Sequence, residues 1–162
     1  MKAQHHLTDS VKLLQKAVLI HQGKMLLLRR SEHSKTRKLQ WDLPGGNSEW
    51  PTEKTGVIRD LHIVDLKREI LEETGISADE FVNAPQLVSF ETSFEAEKNV
   101  YTIIAGWKIE LASTFVNKSI LLSDEHDQFV WVHSKDISDF DFGFAGGGEG
   151  FITRIIANSF TG

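Results

Sequence analysis

The sequence predicts a single-domain α/β fold, because segments with the pattern of β-strands precede, separate and follow segments with the pattern of helices. The strand segments lie at 11–30 (as a hairpin), 87–94, 100–111 and 129–132. The helical segments lie at about 60–74 and at 151–160. This prediction rests on three features of the sequence: a hairpin near the N-terminus, an amphipathic helix and the later strand segments.

The predicted hairpin consists of two short apolar runs joined by a turn. Residues 18–20 and 25–28 are continuously apolar, and Gln22-Gly23 between them favours a tight turn. Continuous rather than alternating apolar runs are typical of strands that are buried on both faces. The sheet is therefore expected to have helices or loops on each side.

The first predicted helix is amphipathic. Ile63, Leu66 and Ile70 recur at helical spacing and share the face expected to pack on the sheet. Gly75 follows in the position where glycine commonly ends a helix. Trp41 to Pro44 should be extended, since a residue before proline avoids the helical region.

Composition is that of a soluble globular domain. The chain has 162 residues, 40% of them hydrophobic and 25% charged, which fits one domain over residues 1–162. No apolar run is long enough to span a bilayer, the N-terminus lacks the apolar core of a signal peptide, and there is no Cys. These features favour a cytoplasmic location and exclude thiol chemistry. The net charge of −5 argues against stable nucleic-acid binding, and it requires a cation wherever a polyphosphate binds.

The most informative stretch is residues 68–76, Arg-Glu-Ile-Leu-Glu-Glu-Thr-Gly-Ile. On a helix Glu69, Glu72 and Glu73 fall within a sector of about 100° and repel one another. A hard divalent cation such as Mg²⁺ or Mn²⁺ would relieve that repulsion. The alternative is a solvated acidic face. Arg68, which can pair with Glu72 one turn away, favours the metal site.

Together with the Gly-rich turn Leu43-Pro44-Gly45-Gly46, this stretch resembles the Nudix box of Nudix hydrolases. The family pattern is Gly, five residues, Glu, seven residues, then Arg-Glu-apolar-x-Glu-Glu-x-Gly-apolar. Residues 68–76 match every specified position, and Gly46 matches the start. Asp60 stands where the pattern has its first Glu. Eight additional residues lie inside the box, within about 47–59.

The resemblance implies an α/β/α sandwich with a mixed β-sheet and a metal-dependent hydrolase. Glu69, Glu72, Glu73 and the carbonyl of Gly45 would hold Mg²⁺ (or Mn²⁺). Glu69 and Glu72 would take part in catalysis, Glu69 as a candidate base, and Arg68 would orient a carboxylate. No organic cofactor is implied.

Two further segments are open to more than one interpretation. Glu125, in the acidic stretch before the strand at 129–132, is either the catalytic base or a water-mediated ligand, or else part of a solvated loop. The basic residues of the segment 29–38 either hold a phosphate or lie in solvent. These basic residues are Arg29, Arg30, Lys35, Arg37 and Lys38.

The expected reaction is hydrolysis of a phosphoanhydride bond in a nucleoside diphosphate derivative. The preferred substrate is a nucleoside triphosphate, cleaved to the monophosphate and pyrophosphate, because the chain is little longer than a minimal domain of this family. The alternatives are a nucleotide-sugar or dinucleoside polyphosphate hydrolase and a non-catalytic nucleotide-binding regulatory module. Trp50-Pro51, an apolar pair in the polar insertion, favours contact with a second copy of the chain and hence a homodimer. The alternative is that Trp50 folds back on its own domain.

Overall fold

The structure is a computed structural model that describes residues 10–49, 51–52, 56–148 and 150–161. The strands are β1 Ser10–His21, β2 Lys24–Arg30, β3 Trp41–Asp42, β4 Gln86–Glu95, β5 Val100–Glu110 and β6 His126–Val132. The α-helices are α1 Leu61–Thr74 and α2 Phe151–Phe160. Short 3₁₀ turns connect several of these elements.

The six strands form one mixed sheet, as predicted. Strand β1 pairs parallel with β5 along its length, from Ser10 opposite Val100 to Ile20 opposite Glu110. The pairs β1–β2, β2–β3, β2–β6 and β4–β5 are antiparallel. The order is β3-β2-β1-β5-β4, and β6, outside this path, also pairs with β2.

The two faces of the sheet bury two separate apolar clusters, because successive residues of a strand point to opposite sides. Ala17 and Leu19 of β1 belong to the cluster beneath α1. Val18 and Ile20 belong to the cluster beneath α2. The continuous apolar runs of the hairpin therefore do mark strands buried on both faces.

Each helix packs its apolar face on the sheet. Leu66 and Ile70 of α1 are fully buried, and Ile63 packs partly buried against the same cluster. On the other side α2 buries Ile152, Ile155 and Ile156. The architecture is the predicted α/β/α sandwich, and none of the helices among the described residues is long and apolar enough to cross a membrane.

The predicted boundaries hold to within a few residues. Helix α1 begins at Leu61, just after Asp60, and Gly75 closes it in the left-handed conformation with its N–H bonded to the Leu71 carbonyl. Strand β6 begins three residues before the predicted 129–132 segment. Residues 50 and 53–55 of the insertion lie outside the described residues, so the expected role of Trp50 is not tested.

Candidate active site

The turn at residues 43–46 is fixed against strand β1 by backbone hydrogen bonds. Ala17 N–H donates to the Pro44 carbonyl at 2.9 Å, and Gln15 N–H donates to the Gly46 carbonyl at 3.0 Å. Gly45 has a φ of 124°, and a Cβ there would come within 2.2 Å of the Gln15 carbonyl oxygen. Only glycine fits this conformation and this close approach to β1.

Glu73 reaches this turn from helix α1. Its Oε2 accepts the Gly45 N–H at 2.7 Å, and the residue is only 6% exposed. Burial, which disfavours the charged form, raises the pKa of Glu73 to about 8. The Glu73 side chain is thus held at the turn, where its carboxylate would be largely desolvated.

Glu69 lies beside Gly46. A Cβ on Gly46 would come within 2.8 Å of Glu69 Oε2, so the missing side chain makes room for the carboxylate. Burial is also the main reason that the pKa of Glu69 lies above its usual range, and the charge of Glu72 raises it further, although Arg68 opposes both. The Glu69 carboxylate therefore sits among negative groups in a half-buried place.

Arg68 holds the two outer glutamates. Its Nη2 donates to Glu69 Oε1 and its Nη1 to Glu72 Oε2, both at 2.9 Å. Its Nε lies 3.6 Å from Asp65 Oδ1. The expected orienting role of Arg68 fits these contacts, and its third carboxylate partner is Asp65 rather than Asp60.

Each of the four expected metal ligands is engaged with another group of the protein. The Gly45 carbonyl accepts a hydrogen bond from Lys16 Nζ at 2.8 Å, and Glu72 is 56% exposed on the outer side of Arg68. Within the described part of the chain, no three acidic, His or Cys side chains converge in an arrangement ready to hold a metal ion. In donor type they still fit a hard cation, since burial raises the pKa of both the Glu69 and the Glu73 carboxyl, and the charge of Glu69 raises the pKa of Glu73 further.

A buried charge network lies next to this turn. Asp42 is fully buried, and its Oδ2 lies 2.6 Å from Arg37 Nη2, 3.1 Å from Arg30 Nη1 and 3.1 Å from Lys16 Nζ. Burial alone would raise the pKa of Asp42, but the three cations outweigh burial and hold it below its usual range. The network fixes the position of the basic segment relative to β1.

These groups surround one open cleft of about 760 Å³. Its acidic lining residues are Glu49, Glu69, Glu73, Glu95 and Glu125, and its basic ones are Lys12, Lys16, Arg30 and Arg37. Glu125 is brought to the cleft because its carbonyl accepts hydrogen bonds from Ser31 N–H at 2.8 Å and Ser34 Oγ at 3.2 Å. The cleft therefore has charged groups of both signs, as a complex of a cation and a polyphosphate requires.

The cleft brings together some of the expected site residues and not others. Glu69, Glu73, Glu125 and Gly45 line it, whereas Glu72 and Arg68 do not. Of the five basic residues at 29–38, Arg30 and Arg37 line it. Arg29 instead forms a bidentate ion pair with Asp127, in which Nε donates to Oδ1 at 2.8 Å and Nη2 donates to Oδ2 at 2.9 Å.

Sequence reasoning missed Lys16, Asp42 and Phe144. Lys16 points to the same face of its strand as Val18 and Ile20, because alternate residues of a strand share a face. A charged residue on this apolar face indicates a buried partner of opposite charge. Asp42, between Trp41 and Leu43, carried a similar signal. Phe144 is 77% exposed in the cleft, and nothing in the surrounding sequence distinguishes it.

Comparison with known proteins gives the family. The family model described as NUDIX domain matches residues 15–149, and the chain belongs to the Nudix family of hydrolases. No curated protein matches. A MutT protein from Methanosarcina mazei is similar in structure, with a TM-score of 0.61 and 25% identity, over 95% of this chain and 96% of that one.

Two other solved structures share the fold. A C. elegans Ap4A hydrolase in a binary complex has a TM-score of 0.58 and 18% identity, over 92% of this chain and 93% of that one. The NUDIX domain of Shewanella oneidensis NrtR, complexed with ADP ribose, has a TM-score of 0.59 and 14% identity, over 98% of this chain and 88% of that one. Members of this family act on nucleotide derivatives and generally use divalent metal ions.

Proposed function

We propose that this chain uses Mg²⁺ or Mn²⁺ to hydrolyse a phosphoanhydride bond in a nucleoside diphosphate derivative, with nucleoside triphosphates as the leading substrates. The observation that carries the proposal is the shared cleft. Glu69, Glu73 and Glu125 line it together with Arg30 and Arg37. Carboxylates suit the cation, and guanidinium groups suit the phosphate oxygens.

The chemistry is attack of water on phosphorus. A bond forms between the water oxygen and phosphorus, the bond from phosphorus to the bridging oxygen breaks, and a nucleoside triphosphate yields the monophosphate and pyrophosphate. Glu69 or Glu125 accepts the proton of the water. Arg68 keeps Glu69 and Glu72 in place, and both contacts are 2.9 Å long.

The residues that would hold the cation are the carboxylates of Glu69, Glu72 and Glu73, whereas the Gly45 carbonyl, the fourth expected ligand, already accepts a hydrogen bond from Lys16 at 2.8 Å. When bound, a divalent cation would neutralise the diphosphate and make a water molecule easier to deprotonate. The raised pKa values of Glu69 and Glu73, caused mainly by burial, support a site in which a positive charge is favoured.

A nucleoside rather than an inorganic polyphosphate is supported by Phe144. Its ring lies in the cleft, with the Arg37 guanidinium carbon 5.5 Å from the ring centroid. Because the residue is 77% exposed, much of the ring is free to contact a planar base. The base would then lie at the end of the cleft where Arg37 is anchored.

A dinucleoside polyphosphate or a nucleotide sugar is the second candidate. Two structures with this fold are an Ap4A hydrolase and a domain complexed with ADP ribose. The cleft of about 760 Å³ is open enough for a substrate with a second group beyond the diphosphate. Both candidates use the same carboxylates, so they differ only in the leaving group.

We also propose that the chain is a two-fold homodimer in which the insertion at 47–59 contacts the partner. The support comes from the sequence, since a tryptophan in a polar loop is typical of residues that contact a partner protein, and Trp50-Pro51 is an apolar pair in such a loop. Sedimentation of the native protein as a monomer at micromolar concentration would contradict it.

The test of the enzymatic proposal is a panel of nucleoside triphosphates, dinucleoside polyphosphates, nucleotide sugars and ADP-ribose with Mg²⁺. Glu69→Gln should lose most activity on the best substrate while keeping the fold. Glu97→Gln, which alters an exposed glutamate in the turn between β4 and β5, is the matched control and should be unaffected. If a folded wild-type protein binds these nucleotides but hydrolyses none of them, the enzymatic proposal fails and the chain is a nucleotide-binding module.

A further inference from the structure

Lys16 places a buried ammonium group at one of the expected metal ligands. The residue is only 4% exposed. Its Nζ donates to the Gly45 carbonyl at 2.8 Å and to the Leu43 carbonyl at 3.1 Å, and lies 3.1 Å from Asp42 Oδ2. An ammonium has three protons, and these three acceptors account for all of them.

The same peptide joins this ammonium to the glutamate cluster. The Gly45 carbonyl faces Lys16, while the Gly45 N–H donates to Glu73 Oε2 at 2.7 Å. Lys16 therefore lies on one side of the Gly45 peptide and Glu73 on the other, and this peptide links the two side chains. Burial raises the pKa of Glu73, and the Lys16 charge partly offsets that effect.

We propose that the Lys16 ammonium is a built-in cation that occupies the Gly45 end of the cleft and keeps a divalent cation away from the Gly45 carbonyl. An ammonium and a dication would repel each other strongly if both approached this carbonyl in a largely buried place. The chain therefore binds one divalent cation fewer than it would without this lysine, and the bound cation is held by the carboxylates near Glu69. This inference rests on the proposed metal-dependent function.

The lysine can be removed without leaving its charged partner Asp42 unpaired. In Lys16→Met, Asp42 keeps Arg37 Nη2 at 2.6 Å, Arg30 Nη1 at 3.1 Å and the Leu43 N–H at 2.8 Å. Methionine is apolar and fills much of the space of the lysine stem. Lys16→Gln is a second variant, which also lacks the charge but can still donate a hydrogen bond to a carbonyl.

Lys12→Met is the matched control. Lys12 precedes Lys16 by four residues on the same strand, so it points to the same face, and it lines the same cleft. Unlike Lys16, it is exposed. A general loss of positive charge from the cleft would affect both variants alike.

The experiment counts Mn²⁺ bound per chain, by equilibrium dialysis with paramagnetic resonance of the free ion, on the full chain without nucleotide. Circular dichroism confirms that each variant is folded. We expect Lys16→Met and Lys16→Gln to bind one Mn²⁺ more per chain than the wild type, and Lys12→Met to bind the same number as the wild type.

Equal numbers in the wild type and both Lys16 variants would overturn the inference, as would an equal gain in Lys12→Met. If the wild type hydrolyses nucleotides only with a divalent cation but the Lys16 variants gain no ion, this inference fails while the proposed function stands. If no protein binds Mn²⁺ and hydrolysis needs no cation, both fail.

Discussion

Replacing Glu73 by Gln should stabilise the metal-free protein, and the gain should grow with pH. Glu73 is 6% exposed and accepts the Gly45 N–H, a bond that an amide oxygen can also accept. The carboxylate has an ordinary pKa of 4.5, which burial raises to about 8 in the folded protein. The glutamine has no charge to bury at any pH.

The sign and size follow from proton binding. Between pH 4.5 and about 8 the folded protein holds a proton on Glu73 that the unfolded chain has lost, so stability falls as pH rises. Each pH unit in that interval costs about 1.4 kcal/mol. The variant should therefore match the wild type near pH 4.5 and exceed its free energy of unfolding by about 3 kcal/mol at pH 7.

The assay is urea denaturation of chelator-treated wild type, Glu73→Gln and Glu72→Gln from pH 4 to 9. His126, whose pKa burial lowers to about 4, makes the protein less stable as pH falls below 6.5, but equally in all three proteins. Glu72 is 56% exposed, so its variant should change stability by less than about 1 kcal/mol. A difference between Glu73→Gln and wild type that is the same at every pH would refute the reasoning.

Three further predictions concern activity and assembly. Arg68→Ala should reduce kcat/KM strongly, because it releases Glu69 and Glu72, whereas Asp60→Ala should reduce kcat/KM only mildly. Equal and severe losses in the two variants would show that Asp60 is equivalent to the first Glu of the family pattern. Phe144→Ala should raise KM for a nucleoside triphosphate by about fivefold or more if the ring stacks on the base, a loss of about 1–3 kcal/mol, and an unchanged KM would rule out stacking. Deleting residues 48–55 restores the family spacing and should give a folded protein with a weaker dimer by sedimentation, and an undiminished dimer would place the interface elsewhere.

The activity of the two glutamate variants tests their role. If Glu72 and Glu73 hold a cation, each change to Gln should cost far more activity than stability. Loss of the fold in Glu73→Gln, with activity falling only in proportion to the folded fraction, would assign this residue a structural role. Circular dichroism and initial rates on the same samples separate the two outcomes.

Most of the fold could be predicted because its signals are local. The apolar runs at 18–20 and 25–28, the glycine at 75 and the periodicity of α1 each reflect a nearby physical cause. The parallel pairing of β1 with β5 could not be derived this way, because the two strands are about 90 residues apart and only the family resemblance pointed to a mixed sheet.

The site was predictable where its residues are neighbours in sequence. Glu69 and Glu73 were found because they lie one helical turn apart. The contact of Lys16 with Asp42 joins residues of different strands, so the sequence could signal a buried charge at each position but not that the two charges pair. Glu125 was a candidate with two interpretations, and only the packing of the 31–34 segment against its carbonyl brings it to the cleft.

Divalent-cation dependence tests the central claim most directly. The measurement is the rate of nucleoside monophosphate release from the best substrate, with Mg²⁺, after exhaustive chelation, and after Mg²⁺ is restored. Because the carboxylates that line the cleft repel a polyphosphate unless a cation lies between them, we predict that hydrolysis stops on chelation and returns with the cation. Hydrolysis that continues at an unchanged rate after chelation would contradict the account.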